Sequence, residues 1–480
     1  MKRNQFCVTD TASIQEVMRK INDHGKGLAV VEHDNKKYIG IVTDGDIRRA
    51  IIKGVEYHQP VSIIVNRKTV TGLDSDKKEN LIKQLSQQIK AIPILDKNGT
   101  MVDIIEFSKH YIPVAKPNLD GNELRYVTDC IVSNWISSQG EYIDKFEKSF
   151  AEFCETKHAL AVSNGTVALH LALLALDIQA NDEVIVPSFT WVSTAAAVRY
   201  VGAKPVFIDC ENDTLNMDPD CIRSAITKNT KAIIPVHIYG QPAKMDVIKR
   251  ICDEEGVRII EDAAEAHGSE YKNKIVGSIG EIGCFSFFGN KIITTGEGGM
   301  LIADDFDLYE KMKILRDHGK SKKDPYWHDV VGYNYRMTNM QAAVGFAQME
   351  RIDKILNDKK RIVEQYFDQL ENNKNLIMPP VNNWSKNIHW LFCIRINSKM
   401  DTESLRKFRD NIIKKLNKLS IDARKFFNPI HRMPPYQSSI EKLLSVCERI
   451  SASGISLPAY YGMKTEDILR ICNEINKILD

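Results

Sequence analysis

The chain has 480 residues, of which 43% are hydrophobic, 27% charged and 8% aromatic, and this apolar content excludes a disordered or fibrous protein. Its 65 Lys and Arg residues are nearly balanced by 63 Asp and Glu residues, so there is no overall positive charge to hold a nucleic acid. The apolar runs are far shorter than a membrane span. At roughly 150 residues per domain, the length predicts about three domains.

The cysteines and the N-terminus indicate the compartment. Ten cysteines are scattered along the chain without a C-x-x-C pair, which is typical of reduced thiols and not of a disulfide scaffold or a zinc site. The first ten residues lack the pattern of a signal peptide. We therefore expect a cytoplasmic protein with no metal site, no membrane segment and no nucleic-acid partner.

The first hundred residues contain an internal repeat. Residues 27–43 and 90–106 each show an apolar stretch, a polar turn and a second apolar stretch, and the two copies lie 63 residues apart. This pattern predicts two strands in each copy, with helices before them over 13–22 and 77–89. Residues 44–52 are predicted to form a further helix behind an Asp that can cap it. The repeat predicts one pseudo-symmetric module.

The turn from Gly40 to Asp46, with the sequence GIVTDGD, resembles that of a CBS pair. In that family the turn leads into a helix that binds an adenine nucleotide. The resemblance implies that Thr43 faces phosphate and that Asp46 accepts from ribose hydroxyls, and a helix start does offer N–H groups to an anion.

The second copy departs from this pattern. Asp103 and Glu106 stand where the first copy has Gly40 and Thr43, and both would repel a phosphate. At most one nucleotide site is therefore expected. The alternative is a purely structural dimerisation module, in which Thr43 and Asp44 only cap a helix.

A linker and a long alternating segment follow. Pro113 and Pro117 place a boundary near residue 115, which predicts domains over 1–114, 115–350 and 351–480. Helical patterns, such as 167–176 and 245–255, alternate with short apolar runs, at 158–163, 183–187, 204–209, 231–237, 258–262, 282–288 and 300–303. This order predicts an α/β fold with a mostly parallel sheet, whose ligands lie beyond the carboxyl ends of the strands.

The C-terminal region has its own pattern. Helical stretches over 351–369 and 402–419 are separated by strand-like stretches over 391–396 and 421–427. They predict a small α+β domain.

Three predicted strands end in side chains that suit a charged ligand. The first strand continues through Gly165 and Thr166 directly into a helix, where close backbone approach and free N–H groups favour an anion. Plain capping of the helix would give the same residues. A second ends at Asp262, which could cap a helix or pair with a cationic ring. A third carries Ser286 and leads to Lys291 and a glycine-rich run. A pyridoxal 5'-phosphate site needs these parts: a lysine amine, a carboxylate at the ring nitrogen and a phosphate cradle.

Residues 121–480 resemble the DegT-type sugar-nucleotide aminotransferases, which are fold type I pyridoxal phosphate enzymes. Several motifs carry the resemblance in the family's order, at 135–153, 163–174, 186–206, 235–246, 261–268, 285–299, 326–348 and 423–436. The resemblance implies a large domain with a mostly parallel sheet and a small C-terminal domain. A branch of sugar dehydratases has His where this chain has Lys291, so Lys favours amino transfer.

The resemblance assigns the cofactor contacts residue by residue. Lys291, five after Ser286, is the lysine that binds the cofactor covalently, and Asp262 pairs with the ring nitrogen. The resemblance also implies that Ser286, Gly165 and Thr166 contact the phosphate and that Asn334 contacts the phosphate of the other subunit. Glu265 is implied to contact the phenolic oxygen, at a position where many members have Gln. Trp191 is implied to stack on the ring face. The alternative role for Trp191 is core packing. Asn334 implies a homodimer with a shared active site.

The motifs at 287–299, 326–339 and 423–436 are most similar to the branch that moves an amino group from glutamate to C4 of GDP-4-keto-6-deoxymannose, giving a perosamine-type product for surface polysaccharide such as O-antigen. Candidate substrate residues come from four segments and are Trp135, Ser138, His318, Arg336, Arg424 and His431. Surface charges or satisfied polar groups are the alternative for each. A UDP-linked 4-keto-6-deoxy sugar is the alternative substrate.

A different class of function is a nucleotide-sensing regulatory protein with a vestigial aminotransferase fold. The intact set of Lys291, Asp262 and Ser286 argues against it, because a vestigial site would be free to lose them. A combined form, in which an adenine nucleotide near Thr43 tunes the aminotransferase, requires a coupling free energy between two sites.

Overall fold

The computed structural model describes residues 3–82, 84–86, 88–324, 326–439 and 444–479. The chain divides into two compact units, Met1–Ile112 with Leu416–Ile421, and Pro113–Lys415 with Asp422–Asp480. Within the described ranges, none of the helices combines the length and the apolar character that crossing a bilayer requires.

The first unit contains two small three-stranded sheets. Its helices and strands are, in chain order, α1 (Arg3–Phe6), β1 (Cys7–Thr9), α2 (Ile14–His24), β2 (Leu28–Glu32), β3 (Tyr38–Thr43), α3 (Asp44–Ile52), β4 (Gly72–Leu73), α4 (Lys78–Ile82), β5 (Ala91–Leu95), β6 (Met101–Glu106) and α5 (Phe107–His110). In each sheet the first strand pairs parallel with the second, and the second antiparallel with the third. Strands β2 and β3 are repeated 63 residues later as β5 and β6, so the predicted internal repeat is confirmed.

The helices of this unit follow local sequence signals. Ser13 caps α2 in a capping box with Glu16, and Gly25, with φ 64°, ends it in the left-handed conformation. The helix predicted over 77–89 is wrong in its length, because α4 ends at Ile82. Residues 83 and 87 of that predicted span lie outside the described residues.

The second unit is larger and is built around a seven-stranded sheet. Its elements are α6 (Glu123–Val132), α7 (Glu141–Phe153), β7 (His158–Val162), α8 (Gly165–Ala175), β8 (Glu183–Pro187), α9 (Ser193–Tyr200), β9 (Lys204–Ile208), α10 (Pro219–Ala225), β10 (Thr230–Ile233), α11 (Met245–Glu255), β11 (Arg258–Asp262), β12 (Glu270–Tyr271), β13 (Lys274–Ile275), β14 (Ile282–Ser286), β15 (Gly299–Ala303), α12 (Phe306–Arg316), α13 (Asn339–Met349), α14 (Ile352–Leu370), β16 (Leu376–Ile377), β17 (Ser385–Lys386), β18 (Phe392–Ile396), α15 (Thr402–Lys418), β19 (Arg424–Lys425), α16 (Ser445–Ser453), β20 (Gly454–Leu457) and α17 (Thr465–Leu479).

The large sheet has the strand order β7-β15-β14-β11-β10-β8-β9. Every pairing is parallel except the two that β15 makes, so the predicted mostly parallel sheet is confirmed. Alternate residues of β7 enter opposite cores: Leu160 and Val162 belong to one hydrophobic cluster, and Ala159 and Ala161 to the other. The sheet is therefore buried on both faces, as its near-continuous apolar strands require.

Two predicted strands are shorter in the structure. The strand predicted over 231–237 ends at Ile233, because Pro235 has no N–H to continue a ladder. The strand predicted over 421–427 is reduced to Arg424–Lys425, at the edge of an antiparallel sheet with the order β16-β18-β20-β19. That sheet and the long helices α14 and α15 have the α+β character predicted for the C-terminal region.

Lys359 on α14 is an unusual member of the core, since only 2% of its surface is exposed. Its Nζ donates to the backbone carbonyl oxygens of Trp390, at 3.1 Å, and Ala459. In the part of the chain that the structure describes, it makes no ion pair with a carboxylate. Burial lowers the pKa of the Lys359 amine to about 7, because the charged form loses its hydration.

This pKa predicts how stability changes with pH. The unfolded chain binds the Lys359 proton up to about pH 10.4, whereas the folded chain loses it near pH 7. Since the unfolded state holds more protons between these values, folding stability from this group rises as pH increases from about 7 to 10. Thermal unfolding midpoints should therefore rise with pH in the wild type relative to Lys359→Met. Lys360→Met, which replaces the exposed neighbour and keeps Lys359, is the control, and its midpoint should follow the same pH trend as the wild type. The prediction would be contradicted if the unfolding midpoint of the wild type fell relative to that of Lys359→Met between pH 7 and 10.

Candidate active site

Lys291 lies in the loop that follows β14, beyond the carboxyl end of that strand. Its Nζ is 3.6 Å from Glu265 Oε1 and 4.0 Å from the centre of the Trp390 ring. Trp390 is held in place because its Nε1 donates to the carbonyl oxygen of Asn290, at 2.6 Å. The loop therefore presents a single amine between a carboxylate and an aromatic face.

Burial controls the charge of these groups. It lowers the pKa of the Lys291 amine, while the charges of Glu265 and Asp262 act in the opposite direction. It raises the pKa of Glu265 and of Asp262, which the charge of Lys291 opposes. A desolvated amine is more often neutral than an exposed one, and a neutral amine is the form that attacks a carbonyl carbon.

Asp262 ends β11 and is held by two donors. Thr194 Oγ1 donates to one carboxylate oxygen at 2.8 Å, and the backbone N–H of Ala264 donates to the other at 3.2 Å. Thr194 is not among the site residues predicted from the sequence. Its position three residues after Trp191, about one turn along the chain, is the only signal that could have indicated it.

Beside Asp262, Glu261 and His237 form a fully buried pair. His237 Nε2 lies 3.0 Å from a Glu261 oxygen, and His237 Nδ1 accepts from the N–H of Ala243. Glu261 also accepts from the backbone N–H groups of residues 277, 279 and 280, at 2.6–2.8 Å. Burial acts to raise the pKa of Glu261, but these hydrogen bonds lower it overall. The pair fixes the end of β11, and neither residue is among those predicted from the sequence to act in the site.

The start of α8 brings several hydrogen-bond donors together. Asn164 caps the helix by accepting from Val167 N–H at 3.0 Å, and the first N–H groups have no acceptor within the helix. A Cβ at Gly165 would lie 2.9 Å from Ser286 Cβ, so only glycine lets Ser286 approach so closely. Thr166 Oγ1 lies 2.9 Å from Ser193 Oγ. The hydroxyls and the helix start suit a phosphate.

Aromatic side chains line this end of the sheet. Trp191 is 58% exposed, so core packing is not its role. Its ring centre is 5.5 Å from that of Phe427, whose N–H donates to Tyr239 Oη at 3.1 Å. Tyr239, with a positive φ of 53°, donates its N–H to Glu265 at 2.8 Å. These contacts connect Trp191, through Phe427 and Tyr239, to the carboxylate beside Lys291.

Three candidate residues from two segments lie together. Asn334 Oδ1 accepts from Arg336 Nε and Nη2, at 3.1 and 2.9 Å, and Nη2 is 3.1 Å from His318 Nε2. The N–H of Ser163 donates to Tyr335 O at 2.8 Å, which places this cluster beside the chain entering α8. Asn334 is exposed in the single chain.

Trp135 and Ser138 lie elsewhere. They line a cavity of about 860 Å³ together with charged residues that include Glu141, Lys313 and Arg316. Lys291 does not line this cavity. One chain therefore does not bring Trp135 and Ser138 together with the amine.

The two remaining substrate candidates differ. Arg424 is exposed and donates from Nη2 to Asp422 at 3.1 Å, so its guanidinium can still reach a ligand. His431 is buried, and both ring nitrogens are engaged: Nδ1 lies 2.7 Å from Ser188 Oγ, and Nε2 lies 3.1 Å from Glu448 Oε1. His431 therefore has no ring nitrogen left for a nucleotide, which agrees with the alternative of a satisfied polar group.

In the first unit, Thr43 and Asp46 bond to each other. Thr43 Oγ1 donates to Asp46 at 2.7 Å and accepts from the Asp46 N–H at 3.2 Å, which forms a capping box. The cap of α3 is therefore Thr43, and Asp44 is its first helical residue, contrary to the capping role expected for Asp44. The adenine-nucleotide site stays a prediction, because a ligand would have to compete with these bonds.

Comparison with known proteins agrees with this geometry. The DegT/DnrJ/EryC1/StrS aminotransferase family profile matches residues 117–476, and the CBS domain profile matches residues 1–53. A GDP-perosamine synthase of Caulobacter vibrioides is 45% identical, over 77% of this chain and 98% of the relative. One of Escherichia coli O157:H7 is 44% identical, over 76% of this chain and 98% of the relative.

Solved structures show the same architecture. A Streptococcus pneumoniae protein, assigned as a sugar aminotransferase and solved in its PMP form, aligns with a TM-score of 0.73 at 26% identity, over 77% of this chain and 98% of its own. It is also known in a PLP form. The second unit is thus a fold type I aminotransferase. The chain belongs to the DegT/DnrJ/EryC1/StrS aminotransferase family and carries an N-terminal CBS domain.

The buried pair beside Asp262 yields a prediction on stability. In Glu261→Gln one carboxylate oxygen becomes an NH2 group, which cannot accept from the backbone N–H groups around it. Leaving a buried donor unpaired costs about 1–3 kcal/mol. Thermal unfolding should show a clearly lower midpoint for this variant. Glu254→Gln, on the exposed pair with Arg223, should leave the midpoint unchanged. Equal midpoints for wild type and Glu261→Gln would refute the structural role of the pair.

Proposed function

We propose that the chain holds pyridoxal 5'-phosphate and moves an amino group from glutamate to the C4 keto group of a nucleotide-linked 4-keto-6-deoxyhexose, GDP-4-keto-6-deoxymannose, in the cytoplasm. The observation that carries this proposal is the buried amine of Lys291 near Glu265 and Asp262, close to the carboxyl end of the central strands. The cofactor, when bound, supplies an aldehyde for the amine and a ring that accepts electrons.

The described residues fit such a group. The start of α8, with Gly165, Thr166 and Ser286, offers donors to a phosphate. The Lys291 amine is available to an aldehyde. Asp262, fixed by Thr194, can accept from a protonated ring nitrogen, and a cation there would offset the burial of that carboxylate. Glu265 lies between the Lys291 amine and the Tyr239 N–H, so it would face the side of a bound cofactor that is next to the amine.

The protein groups divide the work of amino transfer. Lys291 can take and return a proton at Nζ, and burial favours its neutral form. The carboxylates of Glu265 and Asp262 stabilise a positive charge on a neighbouring group such as the Lys291 amine. Trp191, exposed at a strand end, offers a flat face on which a planar ring can stack.

The substrate assignment is supported by the relatives and by charge. Two relatives about 45% identical over nearly their whole lengths are GDP-perosamine synthases. The cluster of His318, Asn334 and Arg336 beside α8, and the exposed Arg424, offer cations and donors to a diphosphate. The alternative substrate is a UDP-linked 4-keto-6-deoxy sugar, since few residues select the base.

We further propose a homodimer in which two chains complete one site. The segment before Asn334 exposes large apolar side chains, including Tyr326, Trp327 and Val331, at 93%, 62% and 88%. In one chain Lys291 does not line the cavity that contains Trp135 and Ser138. A second copy that covers the exposed segment would explain why these substrate candidates lie apart in a single chain.

A comparison of several sugar nucleotides as substrates tests this proposal. Purified protein is reconstituted with pyridoxal 5'-phosphate, given glutamate, and offered 4-keto-6-deoxy sugars linked to GDP or UDP. The expected result is a 4-amino product from GDP-4-keto-6-deoxymannose, identified by mass spectrometry and NMR, with turnover of the UDP sugars at least tenfold slower. Lys291→Ala should make no product, whereas Lys386→Ala, on an exposed ion pair, should retain activity.

If the enzyme prefers a UDP sugar, the GDP assignment is wrong and the alternative substrate is supported. A wild-type protein that aminates none of the sugars, despite bound cofactor, would refute it.

A further inference from the structure

His431 lies at the centre of a buried chain of hydrogen bonds. Its ring connects Ser188, at 2.7 Å from Nδ1, with Glu448, at 3.1 Å from Nε2. Ser188 has no exposed surface, and His431 is only 7% exposed. The N–H of Ile430 donates to the Ser188 carbonyl oxygen at 2.8 Å, so the backbone before His431 is attached to the same residue.

Each end of this chain is anchored in the fold. Ser188 directly follows β8, three residues before Trp191, and its N–H donates to Ile208 O at 3.0 Å. Glu448 lies in the first turn of α16. The start of α16 is attached to the large sheet, because Asp209, just after β9, accepts from the N–H groups of Val446 and Cys447 at 3.0 and 2.8 Å.

The segment that His431 holds carries groups that face the candidate site. Phe427, four residues earlier, packs against Trp191 and donates its N–H to Tyr239. Arg424, three residues before that, is exposed. Residues 424–431 therefore form a wall beside Trp191, which is attached to the end of β8 by the backbone bond from Ile430 to Ser188 and by the side-chain bond between His431 and Ser188.

We infer that His431 is a positioning residue that places this wall for the sugar nucleotide and does not touch the substrate itself. The inference rests on the proposed function, since the wall matters only if a sugar nucleotide binds there. Both ring nitrogens are occupied within the protein. By contrast, His431 makes no bond to Lys291, Glu265 or Asp262, and Phe427 reaches Glu265 through Tyr239, so the step with glutamate should depend on His431 much less than the sugar reaction does.

The experiment separates the two half-reactions in the reconstituted full-length enzyme. The glutamate half-reaction is followed by loss of the cofactor's visible absorbance, and the full reaction by KM for GDP-4-keto-6-deoxymannose. In His431→Ala and Ser188→Ala we expect KM to rise about tenfold, the factor that corresponds to losing one good hydrogen bond. The rate with glutamate should stay within about twofold.

Two conservative variants separate the bonds of the ring. Asn places an amide near Nδ1 and can keep the bond to Ser188, so His431→Asn should recover most of the wild-type KM. Gln reaches toward Glu448 and leaves Ser188 unpaired, so His431→Gln should resemble His431→Ala. Arg449→Ala is the control, because it removes bonds from α16 to the carbonyl oxygens of Ser398 and Met400 without touching His431.

Each contrary outcome overturns the inference. If His431→Ala raises KM but Ser188→Ala does not, His431 acts on the nucleotide directly, because buried Ser188 cannot. If the glutamate rate falls as much as the sugar reaction, or if Arg449→Ala raises KM equally, the role is general stability. If His431→Ala does not fold, Ser188→Ala and His431→Asn decide the matter. Failure of the wild type to turn over the sugar refutes the proposed function instead.

Discussion

Removing the Lys291 amine from water, close to Glu265 and Asp262, is the constraint on which the rest of the site depends. Burial favours the neutral amine and the protonated carboxyls, whereas their mutual attraction favours the charged forms. Burial sets the net direction, so the pKa of the amine falls and the pKa values of the two carboxyls rise, which brings the three groups closer together in proton affinity. That balance suits a lysine that must act both as a nucleophile and as a carrier of protons.

The fold maintains this balance by fixing strand ends. Glu261 and His237 hold the end of β11, and Thr194 orients the carboxylate of Asp262. Trp390, bonded to Asn290, closes one side of the Lys291 amine. These supporting groups come from distant parts of the chain, and the parallel sheet brings them to one edge. The same logic extends outward to His431, whose two bonds hold the wall that carries Phe427.

Much of this could be predicted from sequence, because local signals are strong where strands are buried on both faces and where helices have caps. The strands at 183–187 and 258–262 and the helix at 245–255 match the structure residue for residue. The roles of Thr194, Trp390 and Tyr239 could not be predicted, since their contacts depend on which loops meet in three dimensions. His431 was singled out, but its motif could not reveal that both ring nitrogens are used internally.

The most direct test of the central claim is to identify which amine binds the cofactor. Borohydride reduction of the reconstituted protein makes the link between amine and cofactor permanent, and peptide mass spectrometry then locates it. We predict the cofactor's mass on the peptide that contains Lys291 and on no other. Lys359 is the informative competitor, because burial also lowers its pKa, to about 7. Modification of Lys359, or of no lysine at all, would contradict the account.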